Sequence, residues 1–215
     1  QVHREILEQS MTLLENRSNT FPWLAPEGKI ALINISDKVI SGKAYKDHLK
    51  ITMGRSYQIS SFSIGKDASG WGRNEVIEAC LEADLVIVNF LETSNRHSRN
   101  YGITRTAVEQ CSQRISKSKQ DTTTQTKWVI NIFANPYCLN EDWATLSKSV
   151  DGLLMAYQDD SRTQEAAVNA ISGVGSANGL LPVTPPGSFY REGDGLGLQC
   201  SSGTRLGWNK WSCDG

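Results

Sequence analysis

The stretch Gly70 to Phe90, GWGRNEVIEACLEADLVIVNF, decides the fold. Its first half places Trp71, Val76, Ile77, Cys80 and Leu81 on one face of a helix. Its second half, Asp84 to Phe90, is an almost unbroken apolar run of strand length, the mark of a strand covered on both faces. A helix running straight into such a strand is the unit of a parallel sheet, because parallel neighbours need a crossover and a helix supplies it.

The same step recurs on either side. Upstream, Lys29 to Ile35 (KIALINI) is a second apolar run, Ser41 to Leu49 reads as a short helix, and Tyr57 to Ile64 (YQISSFSI) alternates at period two. Downstream, the helix Thr104 to Ser118 ends in the polar tract Lys117 to Thr126 and leads to Lys127 to Phe133 (KWVINIF). A helix over Leu139 to Ser147 then leads to the strand Val150 to Tyr157 (VDGLLMAY). Ser161, with Gln164 three residues on, reads as a capping box opening a helix through Ile171.

This order predicts a three-layer α/β/α sandwich, flavodoxin-like, with a mostly parallel five-stranded sheet over 29–35, 57–64, 84–90, 127–133 and 150–157. Functional loops are expected at the strands' carboxyl ends. Val2 to Glu15 has a near-helical apolar repeat at Ile6, Leu7, Met11, Leu13 and Leu14, so residues 1–28 read as a leading helix and linker. The sandwich domain spans 29–198. Its last part, 173–198, is too rich in glycine and proline for a core element and reads as a segment hugging the surface; 199–215 read as a polar tail or linker.

Composition narrows the function. Of 215 residues 39% are hydrophobic, and 22 Lys and Arg stand against 23 Asp and Glu, a net charge of -1. Such a chain folds, and it carries no bulk field for nucleic acid or an anionic membrane. The longest apolar runs fall far short of the ~20 residues of a membrane span. The first fourteen residues lack the apolar core of a signal peptide, which leaves the compartment open, a secreted or periplasmic parent included. Five cysteines are scattered without a CxxC pair, and most of them read as buried thiols. The three histidines lie far apart, so no metal is expected. Gly173 to Gly179 imitates a dinucleotide fingerprint but follows the last helix instead of the first strand, so no cofactor is expected either.

Candidate chemistry gathers after the third strand. Glu92, Asn95, Arg96, His97 and Arg99 offer a carboxylate, an imidazole and two guanidiniums within eight residues, enough for a proton donor and a clamp on an anion or sugar hydroxyl. The alternative is a solvated loop. Asp159 and Asp160, the only adjacent carboxylates at a strand end, read as serving the start of the next helix.

Taken in order, these motifs resemble the carboxy-terminal α/β sandwich domain of glycoside hydrolase family 3, nearest its β-N-acetylhexosaminidase-like branch. The likeness rests on Ile6 to Leu14 with Pro22, on Ala83 to Asn89 (ADLVIVN), on Val129 to Tyr137 (VINIFANPY), and on Val150 to Pro182 followed by Val183 and the Gly193 to Gly195 ending. It implies a parent protein in which an amino-terminal (β/α)8 barrel holds the carbohydrate substrate and the aspartate nucleophile. In the hexosaminidase branch a His-Asp dyad on the barrel is the acid/base, and no string of that signature occurs here. The resemblance therefore implies a domain that is inactive alone and packs on the barrel. In the β-glucosidase branch the sandwich supplies an acid/base glutamate from this same loop, and Glu92 is the nearest position, although Leu91 to Arg96 lacks that branch's glycines and aspartate. A stand-alone flavodoxin-like module with a ligand at its strand ends is the third reading.

Overall fold

The computed structural model describes residues 6–7, 9–38, 40–121 and 125–198. Six strands form one sheet: β1 Thr12–Asn16, β2 Gly28–Ile35, β3 Tyr57–Ile64, β4 Leu85–Phe90, β5 Lys127–Ile132 and β6 Gly152–Met155. The helices are α1 Lys43–Met53, α2 Asn74–Glu82, α3 Arg105–Gln120, α4 Trp143–Ser149 and α5 Ser161–Ser172. The strand order is β1-β6-β5-β4-β2-β3, parallel throughout except for the β1–β6 pair.

Four apolar runs became β2, β4, β5 and β6, buried nearly throughout because each is covered on both faces, while the alternating Tyr57–Ile64 became the half-exposed edge strand β3. In β4 all six residues are buried. Val86, Val88 and Phe90 face a core shared with α2, α3 and α4, where Phe90 meets Trp143 edge-on at 5.2 Å and Trp71 lies against Trp128. Leu85 and Ile87 face the opposite core with Tyr45 and Leu49 of α1 and Ala167 and Ile171 of α5. Fully burying each of these larger aliphatic side chains contributes about 1.5–3 kcal/mol.

The leading segment departs from its expected form. Residues 6–7 and 9–10 are helical, but Thr12–Asn16 is a strand antiparallel to β6, so the sheet has a sixth member and the helix does not reach Glu15. Gln1 to Glu5 lie outside the described residues, as does the tail 199–215. Two helix starts also shift. Trp71 sits in a separate turn, Ser69–Gly72, and α4 begins at Trp143. The cap of α5 is Asp160, whose carboxylate accepts from the N–H groups of Arg162 and Thr163; Ser161 is the first helical residue. Gln164 serves elsewhere.

Residues 173–198 hold no helix or strand and lie along β1. Leu196 N–H donates to Leu13, Gly179 N–H donates to Met11 at 2.8 Å, and Ala177 bridges Leu198. Burial pushes the Cys80 thiol up to about 12, and those of Cys111 and Cys138 upward as well, so these three are inert core residues. Cys200 and Cys213 are outside the described residues.

Candidate functional site

Successive strands step outward from β2 to β3, then jump back across β2 to β4. That reversal opens a crevice between the carboxyl ends of β2 and β4, where ligands bind in sheets of this kind. Leu91 N–H still donates to Ile35 at 3.1 Å, and the next residue, Glu92, turns to φ 54°, the left-handed region. For a residue with a Cβ this is held only when its surroundings over-determine it.

They do. Glu92 Oε2 accepts from Ser36 Oγ at 2.8 Å, from Asp37 N–H at 2.7 Å and from Lys38 N–H at 3.1 Å, while Lys38 Nζ lies 3.0 Å from Oε1. Its backbone is fastened too. Lys66 Nζ donates to the Glu92 carbonyl at 2.7 Å, and Glu92 N–H donates to Asp159 Oδ2 at 2.7 Å. Asp159 Oδ1 in turn accepts from Gln164 Nε2, and Gln164 Oε1 accepts from Tyr45 N–H. Glu92 thus ties the loops after β2, β3 and β6 to the start of α1 and α5. Its side chain is 13% exposed. Burial works to raise its pKa, but the donors from Lys38, Ser36 and Asp37 outweigh that and hold the carboxyl below its ordinary range.

The other residues of the loop go elsewhere. Asn95, Arg96, His97 and Arg99 are exposed, and none of them bonds to Glu92 among the described residues. His97 packs edge-on against Tyr101, which stacks on Tyr137 at 6.2 Å. Gly102, at φ +86°, lets the loop fold back on itself, since a Cβ there would meet Thr93 Cα at 2.8 Å. The loop reads as two parts: an inward carboxylate and an outward polar rim. Asp37 Oδ1 accepts from Lys66 N–H, so three strand-end carboxylates, Asp37, Glu92 and Asp159, are engaged in holding backbone.

One polar feature was not anticipated. Asn34, Asn89 and Asn131 stand at matching register on β2, β4 and β5 and are all buried. Asn131 Nδ2 donates to Asn89 Oδ1 at 2.8 Å, and Asn89 Nδ2 donates to Asn34 Oδ1 at 3.0 Å. Asn131 Nδ2 also donates to Tyr45 Oη, whose ionisation burial suppresses. The signal was present: each of KIALINI, LVIVNF and KWVINI carries one Asn just before its last residue. Among the described residues no three His, Cys, Asp or Glu side chains converge as metal ligands. No helix among them is long and apolar enough to cross a membrane.

The profile of the glycosyl hydrolase family 3 C-terminal domain matches residues 11–196. The chain belongs to this family. No curated protein matches the sequence. Several solved family 3 structures share the fold. A β-N-acetylglucosaminidase from Paenibacillus sp. str. FPU-7 superposes with a TM-score of 0.60 at 16% identity, over 87% of this chain and 32% of that one. A fungal multi-domain β-N-acetylglucosaminidase gives 0.57 at 21% identity, over 87% of this chain and 19% of that one. The β-glucosidase of Listeria innocua, solved with isofagomine, gives 0.55 at 18%, over 82% and 26%. This family 3 domain therefore spans a third or less of the proteins it resembles.

Proposed function

We propose that this family 3 domain is the non-catalytic sandwich of a β-N-acetylhexosaminidase-like glycoside hydrolase. It packs on a (β/α)8 barrel of the same parent, which holds the carbohydrate, and the rim Asn95 to Arg99 lies nearest the substrate cleft. The observation that supports this reading is the state of Glu92. A general acid must arrive protonated and within reach of the leaving oxygen. Glu92 is ionised, turned inward, and has donors on both oxygens. A retaining glycosidase needs two carboxyl groups flanking the bond, and the neighbouring Asp37 and Asp159 are occupied as acceptors.

The test is a nitrophenyl N-acetylglucosaminide assay. The chain alone should show no turnover, and a barrel that is inactive or unstable alone should gain activity when this chain is added. The Glu92→Gln protein should restore that activity as well as the unaltered chain. Turnover by the chain alone, or loss of rescue with Glu92→Gln in a correctly folded protein, would replace this reading with a β-glucosidase-like one in which Glu92 is the acid/base.

A further inference from the structure

The asparagine ladder ends at a second polar site, on the far side of β2. Asn34 Oδ1 is taken by Asn89, but Asn34 Nδ2 has no acceptor among the described residues. Asn34 is only 3% exposed and lines a cleft of about 810 Å³ walled by β3 and the starts of α1 and α2. This is the size of a small-molecule site. The ladder's N–H groups all point one way, from Asn131 to Asn89 to Asn34, so each bond polarises the next. The terminal NH2 is thus a strong donor aimed into the cleft.

Positive charge is in excess around it. Lys43, Lys46 and Arg73 line the cleft against one carboxylate, Glu75. Arg73 pairs with Glu75 at 3.2 Å and Lys43 with Asp47 at 2.5 Å, which leaves Lys46 without an ion pair among the described residues. Lys43 and Lys46 are among the first four residues of α1, whose first turn holds no acid and whose Gly42 gives no side-chain cap. Cations at the positive end of a helix are unfavourable unless an anion joins them. The hydroxyls of Ser61 and Ser63, on the face of β3 that Asn34 shares, add further polar groups.

We infer that this cleft binds a phosphate monoester. Asn34 Nδ2, Lys46 and the Ala44 N–H at the start of α1 hold the phosphoryl group, and the organic part lies toward the edge strand β3. The site is separate from the crevice at Glu92, and its existence does not depend on the domain's role beside a barrel.

The full chain, ¹⁵N-labelled, is titrated at fixed ionic strength with inorganic phosphate, glucose 6-phosphate and glucose while amide shifts at Ala44 to Lys46 are followed. Both phosphates should bind saturably, the monoester at least threefold more tightly, and glucose should not. Lys46→Glu should weaken both at least tenfold. Lys50→Glu, on the same helix but not lining the cleft, should change them less than twofold. Asn34→Asp keeps the side-chain size and should also weaken binding, with unaltered amide spectra elsewhere showing that the fold persists. Absence of saturable binding, equal affinity for phosphate and its monoester, or equal losses in the Lys46 and Lys50 variants would each overturn the assignment.

Discussion

The Glu92 carboxylate lies 2.7 Å from the backbone nitrogen of Asp37, so the second residue after β4 caps the loop after β2. This contact crosses the crevice that the strand order opens and fills it with an internal anion. Hydrogen bonds to a charged group are worth about 1.5–3 kcal/mol, whereas the exposed Lys38 ammonium adds little. Glu92→Ala should therefore destabilise the domain by about 1.5–3 kcal/mol and Glu92→Gln by less, because the amide oxygen still accepts. Urea denaturation followed by tryptophan fluorescence reads both.

The same contact predicts a pH dependence. Folding lowers the Glu92 pKa, so the unfolded chain holds this proton more tightly than the native one. The stabilisation is fully present above the unfolded value of about 4.3 and disappears as pH falls through the lower folded value. The stability difference between the unaltered chain and Glu92→Gln should stay flat from pH 8 to 6 and shrink toward zero in acid. A difference that grew below pH 4 would contradict the assignment of Glu92 as an ionised acceptor.

What could be read from the sequence follows from where the deciding interactions lie. KIALINI, ADLVIVNF and KWVINIF declare themselves because a strand buried on both faces must be apolar at nearly every position. β1 does not, since Met11, Leu13 and Leu14 fit a helical repeat and only pairing with the distant Gly152–Met155 makes Thr12–Asn16 a strand. The residue types at Glu92 to Arg99 were visible, but their direction was not. A left-handed turn at a glutamate has no local signature, and it separates Glu92 from Asn95, Arg96, His97 and Arg99. The asparagines were hidden by the runs that contain them, because a ladder needs register as well as composition.

Asn89 is the middle rung of that ladder, and its removal orphans groups on both neighbours. Asn34 Oδ1 loses its donor and Asn131 Nδ2 loses one of two acceptors, each deep in the sheet. An orphaned buried polar group costs about 1–3 kcal/mol, so Asn89→Ala should destabilise by about 2–4 kcal/mol. Residues in one network do not add independently. The double variant Asn89→Ala with Asn131→Ala should lose less than the sum of the two single losses, by about 0.5–3 kcal/mol in a denaturant cycle. Strict additivity would mean that the ladder does not act as a unit.

Gly179 tests whether the segment 173–198 is part of the fold or merely lies on it. A Cβ at this position would stand 2.1 Å from the Ser10 carbonyl oxygen and 2.7 Å from that of Met11, both backbone atoms that cannot swing aside. Gly179 N–H meanwhile donates to the Met11 carbonyl, and Gly195 crosses close to Thr12, so the segment clasps the start of β1 from two points. Forcing a methyl into such a contact costs about 1–3 kcal/mol or more. Gly72→Ala, where nothing lies within 4 Å of the added carbon, should stay within about 0.5 kcal/mol of the unaltered chain. If the segment is integral, Gly179→Ala should lower the global unfolding midpoint and expose residues 173–198 to limited proteolysis, while Gly72→Ala does neither. A Gly179→Ala protein that becomes cleavable there at an unchanged midpoint would show that the clasp opens independently of the sandwich.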